Sequence, residues 1–166
     1  MTEPIIPLAS VELKPRPAEF LPESPTRRPF DVSTARLGER MGLKRMGATV
    51  VAVKPGAAGW PFHNHRVNDE MFVMLAGHGE LRLGRATHAV KPGDVIGCPA
   101  GGPEGAHQLV NTGADELRYL AISTSLDPEI CEYPDSRKIA AYHGQGASGL
   151  YHMSRAADQR DYWDGE

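Results

Sequence analysis

Two histidines one residue apart, His63 and His65, followed by Glu70, are the residues whose types and spacing point most directly to chemistry. Side chains two apart on an extended strand project to one face, so both imidazoles can reach a common point. Glu70 can join them across a short turn. Downstream, the glycine- and proline-rich stretch from Gly93 to Asn111 offers a third imidazole, His107. Three imidazole nitrogens and one carboxylate oxygen suit a divalent first-row metal, and they leave room on such an ion for water or a substrate. The competing reading of His63 and His65 is a chance surface pair.

Such a set needs rigid strands to hold it. From Gly47 onward, short apolar runs alternate with turn signals, predicting strands over Thr49–Val53, Trp60–His65, Glu70–Leu75, Glu80–Leu83, Thr87–Val90, Asp94–Cys98, His107–Asn111 and Leu117–Ser123. Pro55-Gly56, Gly77-His78-Gly79, Gly84, Pro92-Gly93, the Pro99–Pro103 segment and Asn111-Thr112-Gly113 separate them. Short strands with regular turns and no long helix predict an all-β sandwich or barrel. In Glu70–Leu75 both faces are apolar apart from Glu70, which predicts one face inward and the other against a second layer or another subunit. A homodimer is therefore expected. Phe72 and Met74 share the parity of Glu70, and Trp60 and Phe62 approach the same mouth. These four are the expected walls of a small-molecule pocket, with plain barrel core as the competing role.

The flanks read differently. Residues 1–30 hold seven of the fourteen prolines, which excludes a helix or a central strand there. This extended arm carries Ile5, Ile6, Leu8, Val11 and Leu13, and reads either as a segment lying on a neighbouring subunit's sheet edge or as a disordered tail. Leu37 and Met41 permit one helical turn within 33–41. After Ser125 the chain is expected to be irregular, with Ile139–Tyr142 a short helix or an edge segment and Tyr162 and Trp163 packing down. The resulting organisation is an arm over 1–30, a barrel over 31–126 and a C-terminal extension packed on it over 127–166.

With 166 residues, 40% apolar and 23% charged, the chain fits one globular domain. A net charge of -3 gives no basic field for nucleic acid. The start lacks the pattern of a signal peptide and no run is long enough to span a membrane, so a cytoplasmic protein is expected. Cys98 and Cys131 make no disulfide framework and are expected as buried thiols, in keeping with a reducing compartment.

The motifs resemble those of the cupins, small β-barrels of the jelly-roll, or double-stranded β-helix, type. His63, His65, Glu70 and Gly77 follow the first cupin motif, with its leading glycine at Gly59. Gly93, Pro99, Gly101, His107 and Asn111 follow the second, with three extra residues between Gly101 and His107. The chain is similar to bacterial single-domain cupins that carry a Tyr-Pro-Asp after the barrel, here Tyr133-Pro134-Asp135. The resemblance covers roughly residues 45–136. It implies His63, His65, Glu70 and His107 as ligands of one manganese, iron, zinc, nickel or copper ion. It also implies a small oxygenated substrate, turned over by sugar-phosphate-isomerase-like or dioxygenase-like chemistry.

Isomerisation needs a base as well as a Lewis acid, and Glu70 could serve if it leaves the metal. A phosphorylated substrate would call for a cation such as Lys54, Arg66 or Arg82 at the mouth. Asn64, Asn68, Asp69 and Asn111 are the nearest candidates to orient the rings. The alternative from another class is a cupin that binds a metal or small molecule without turnover.

Overall fold

The computed structural model describes residues 2–22, 26, 28–144 and 149–166. Its strands are β1 (Lys14–Pro15), β2 (Val32–Arg36), β3 (Met46–Val53), β4 (Asn64–His65), β5 (Glu70–Ala76), β6 (Gly79–Leu83), β7 (Ala86–Val90), β8 (Val95–Cys98), β9 (His107–Val110), β10 (Leu117–Thr124), β11 (Glu129–Tyr133), β12 (Lys138–His143) and β13 (Leu150–Arg155), with one short helix, α1 (Leu37–Met41). They form three antiparallel sheets, in the orders β1-β2-β3-β10-β5-β8, β13-β12-β11-β4 and β7-β6-β9. The architecture is the all-β jelly roll that the resemblance to the cupins implies.

The interior follows from strand parity. Val51, Val53, Phe72, Met74, Leu109, Leu117 and Tyr119 turn inward from the large sheet and β9 and are almost wholly buried. The turn after β5 is set by Gly77, whose φ of +76° suits a residue without a Cβ. Gly59 is demanded by a different constraint: a Cβ there would stand 2.7 Å from the Tyr119 hydroxyl.

Both faces of β5 are apolar for a reason internal to this chain. Leu75 and the neighbouring Leu120 pack on a second cluster formed by Val11, Leu37 and Val50, with Ile6, Leu13 and Met41 around it. The second layer over β5 is thus supplied in part by the arm and α1. Lys14 and Pro15 pair with Thr34 and Ser33 of β2, and the Arg16 amide donates to Val32 O at 3.0 Å, so this part of the arm edges its own chain's sheet. Ile5 and Leu8 stay exposed. Within the stretch read as an arm, residues 1, 23–25 and 27 lie outside the described residues.

Three expectations are corrected. Of the stretch read as one helical turn, Ser33–Arg36 lies in β2 and only Leu37–Met41 is helical. The region after Ser125 is not irregular, since β11, β12 and β13 form a sheet with β4. Its strands turn Glu129, Cys131, Tyr133 and Lys138 toward the cavity and Ile130, Ile139 and Leu150 outward, so the inner face shows no apolar run to read. Tyr162 and Trp163 do not pack down: they stack edge-to-face on each other and remain largely exposed.

Candidate metal centre

Three strand pairings bring the chemistry together. His63 and His107 face each other in an antiparallel bridge, with His107 N donating to His63 O at 2.8 Å and His63 N to His107 O at 3.2 Å. His65 sits on β4 opposite Cys131 of β11, and Glu70 opens β5 opposite Cys98 of β8. The three imidazoles of the expected ligand set all approach the Glu70 carboxylate. Glu70 Oε2 lies 2.8 Å from His107 Nε2, 3.4 Å from His65 Nε2 and 4.0 Å from His63 Nε2.

Each ring is also held from behind. His63 Nδ1 donates to Pro61 O at 2.8 Å and His107 Nδ1 to Gly105 O at 3.2 Å. Gly105 belongs to the segment that lengthens the second motif, a 3-10 turn over Pro103–Gly105, so the extra residues supply the carbonyl that orients His107. His65 Nδ1 stands 3.2 Å from Cys131 Sγ and 3.4 Å from Glu129 Oε2. A proton fixed on each Nδ1 makes Nε2 the nitrogen that faces the centre and can offer a lone pair to a metal once its own proton is displaced.

Two sets of donors could hold an ion: His63, Glu70 and His107, and separately His65, Glu129 and Cys131. The second is the poorer candidate. Glu129 already accepts the amides of Val67, Asn68 and Ile130 and the side-chain amide of Asn68, so its oxygens are committed. The first set, with His65 Nε2 close to the shared Oε2, fits the chemistry of a divalent first-row metal: borderline nitrogen donors, one hard anionic oxygen, and ring orientation set in advance.

Charge is strongly coupled here. Burial and the neighbouring imidazole of His107 push His63 down to about 4. Burial opposes charge on His65, but Cys131 and Glu70 outweigh it and raise the ring to about 10. In the same way burial works against His107, while Cys98 and Glu70 raise it to about 9. Burial alone would raise the Glu70 carboxyl, yet hydrogen bonds from His107 and His65 hold it far below the ordinary carboxylate range.

The centre opens on a cavity of about 610 Å³. Trp60 and Phe72 line it, as the sequence suggested, whereas Phe62 and Met74 do not. Met74 lies one pleat deeper along β5, in the core. Phe62 is buried beneath the Arg82 guanidinium, 3.6 Å from its ring centre. The cations expected near the mouth are committed elsewhere: Lys54 pairs with Glu116, Arg66 with Glu132 and Arg82 with Asp135.

None of the four polar residues expected behind the rings forms a hydrogen bond with an imidazole. Asn64 donates to Gly101 O and Glu132, Asp69 accepts from the Ala100 amide, and Asn111 braces Val53, Asp115 and Gly113. Asn68 acts one step removed, through Glu129. The residues that sequence reading missed, Glu129, Cys131, Tyr133 and Tyr142, all come from the C-terminal sheet, and the only signal there was the Tyr133-Pro134-Asp135 tripeptide.

Comparison with known proteins agrees with this geometry. The family profile of the cupin domain matches residues 49–123. No curated protein sequence matches the chain. Among solved structures, a sugar phosphate isomerase of the cupin superfamily from Silicibacter pomeroyi superposes with a TM-score of 0.75 at 28% identity, covering 97% of this chain and 98% of its own. A protein from Acidithiobacillus ferrooxidans, whose sugar-phosphate-isomerase name is provisional, gives 0.71 at 27% identity over 80% and 81%. An oxalate decarboxylase, so named by prediction, from Thermotoga maritima gives 0.55 at 25% identity over 69% and 95%. Residues 49–123 of this chain form a cupin domain.

Proposed function

We propose that this cupin is a metal-dependent enzyme acting on a small oxygenated organic molecule, with His63, His65, Glu70 and His107 holding one divalent first-row ion. The carrying observation is the convergence of three Nε2 atoms on Glu70 Oε2 while every Nδ1 is engaged from outside. A bound ion would supply Lewis-acid polarisation of a carbonyl or hydroxyl oxygen. The protein's own side chains do the rest. Phe72 and Tyr119 close the inner end of the cavity with ring surface that excludes water, and Trp60 walls its mouth.

Of the two reactions implied by the motifs, isomerisation of a sugar-like molecule is favoured. Two solved proteins that match this chain over 80% or more of both lengths carry that name, one of them provisionally. Glu70 fits the role of ligand better than that of base: a carboxylate so strongly favoured in its ionised form is a weak proton acceptor.

The test is to load the protein separately with manganese, iron, zinc, nickel and copper and to follow aldose–ketose interconversion of phosphorylated and free sugars by NMR. Turnover with at least one ion, abolished in His107→Ala, is expected. Stoichiometric metal with no turnover of any sugar would instead favour a binding protein.

The same reading carries a homodimer in the cytoplasm. Ile130, Ile139 and Leu150 share the outer face of the C-terminal sheet and are 42%, 42% and 57% exposed, an apolar surface suited to a second copy. Cys98 and Cys131 are free and buried, in keeping with a reducing compartment. Among the described residues no helix is long and apolar enough to cross a membrane.

A further inference from the structure

We infer that Lys138, Tyr133 and Tyr142 form an anion-binding subsite beside the metal centre, so that the molecule bound there carries a carboxylate or phosphate head group. The inference rests on the reading of the cavity as a substrate site and narrows the class of substrate.

The three residues stand on the paired strands β11 and β12, and their side chains line the cavity. Tyr133 and Lys138 are directly opposite in register, with Lys138 Nζ 5.4 Å from the Tyr133 ring centre. The hydroxyls of Tyr133 and Tyr142 lie 3.3 Å apart. When one hydroxyl donates to the other, the second keeps a free proton to offer a ligand. An ammonium beside such a donor is the combination that recognises an anionic oxygen.

Charge distribution singles out this spot. Lys138 is the only lysine or arginine among the described residues that line the cavity. The carboxylates that share the lining are engaged already, Glu70 by the imidazoles and Glu129 by amides, so neither is free to neutralise it. The Tyr133 ring lies nearly parallel to that of His63, 19° apart in plane with centroids separated by 6.1 Å. A head group held at Lys138 therefore sits one ring away from a proposed metal ligand, and the oxygenated carbon must follow it within a few bonds. A short hydroxy acid and a small phosphorylated polyol both have this form.

Glycerol, D-glycerate and glycerol 3-phosphate share a carbon frame and differ in head group, so they serve as probes. Each is titrated by calorimetry into the protein as purified and into Lys138→Met, Tyr133→Phe and Tyr142→Phe, with metal content measured in parallel. At least one anion is expected to bind the wild type while glycerol does not, and the preferred anion identifies the head group. Lys138→Met should weaken that anion by about tenfold or more and each tyrosine variant by about two- to tenfold, with metal content unchanged. Equal binding to wild type and Lys138→Met, glycerol binding as tightly as the anions, or no binding of either anion would overturn the subsite. Lys138-dependent binding to a protein that takes up no divalent ion even in excess would leave the subsite standing and remove the metal reading. A metal-loaded protein indifferent to Lys138 would do the reverse.

Discussion

His107 Nε2 lies 2.8 Å from Glu70 Oε2, a hydrogen-bond distance, while its Nδ1 faces Gly105 O at 3.2 Å. A ring that donates from both nitrogens is an imidazolium, in agreement with its rise to about 9. The nitrogen that must ligate a metal thus carries a proton until the metal displaces it. Uptake of a divalent ion by chelator-treated protein should release protons at neutral pH, and affinity should increase up to about pH 9–10. Calorimetric titrations in buffers of different ionisation enthalpy measure this directly. Uptake with no proton release would show that the ion binds elsewhere.

Stability of the chelated protein should depend on pH in a defined sense. His65 and His107, raised to about 10 and about 9, contribute stability that is complete below their ordinary 6.5 and is lost as pH rises through 9–10. His63, lowered to about 4, works in the other direction: between pH 6.5 and 4 the unfolded chain binds a proton that the folded chain refuses. Glu70, also lowered, removes further stability as pH falls below 4.5. Melting temperature in the presence of a chelator should therefore peak near about pH 6.5 and fall on both sides. A metal-saturated sample should lose less at the alkaline end.

Glu129 ties the C-terminal sheet to the centre through His65. Glu129→Gln should weaken metal binding by about 10–100-fold, the usual effect of removing a carboxylate behind a ligating imidazole. Asn68→Ala should produce a smaller loss, because Asn68 reaches the ring only by way of Glu129. Chelator competition gives both numbers. Equal affinity in Glu129→Gln and wild type would reduce Glu129 to a brace for the amides of Val67, Asn68 and Ile130.

How much of this was legible in the sequence depended on the kind of signal each residue leaves. His63, His65, Glu70 and His107 could be placed because period-two geometry and turn glycines fix which side chains share a face. The same parity put Phe72 on the cavity wall correctly. It failed for Met74 because it gives the face of a strand but not the depth along it. Glu129 and Cys131 left no mark, since the cavity-facing side of their strand mixes a carboxylate, a thiol and a phenol and mimics a loop. The arm's position was likewise hidden: its prolines exclude regular structure, yet Pro15 sits on an edge strand, where its missing amide costs nothing.

Arg16 pins the arm beside the site. Its Nη2 donates to Gly59 O at 3.0 Å and its guanidinium lies 5.1 Å from the centre of the Trp60 ring. Arg16→Ala should cost about 1–3 kcal/mol of stability and shift the Trp60 emission. Denaturant titration followed by fluorescence reads both. Unchanged stability and emission would mean that the arm is held by Val11 and its neighbours alone.

The most direct measurement is elemental analysis of protein purified without an affinity metal column, repeated on the His65→Ala/His107→Ala double variant. Close to one divalent transition metal per chain in the wild type, lost in a double variant that keeps the wild-type circular dichroism, is the predicted result. Stoichiometric metal in the double variant, or a wild type that takes up none of manganese, iron, zinc, nickel or copper even when supplied in excess, would contradict the assignment of these four residues as the metal centre.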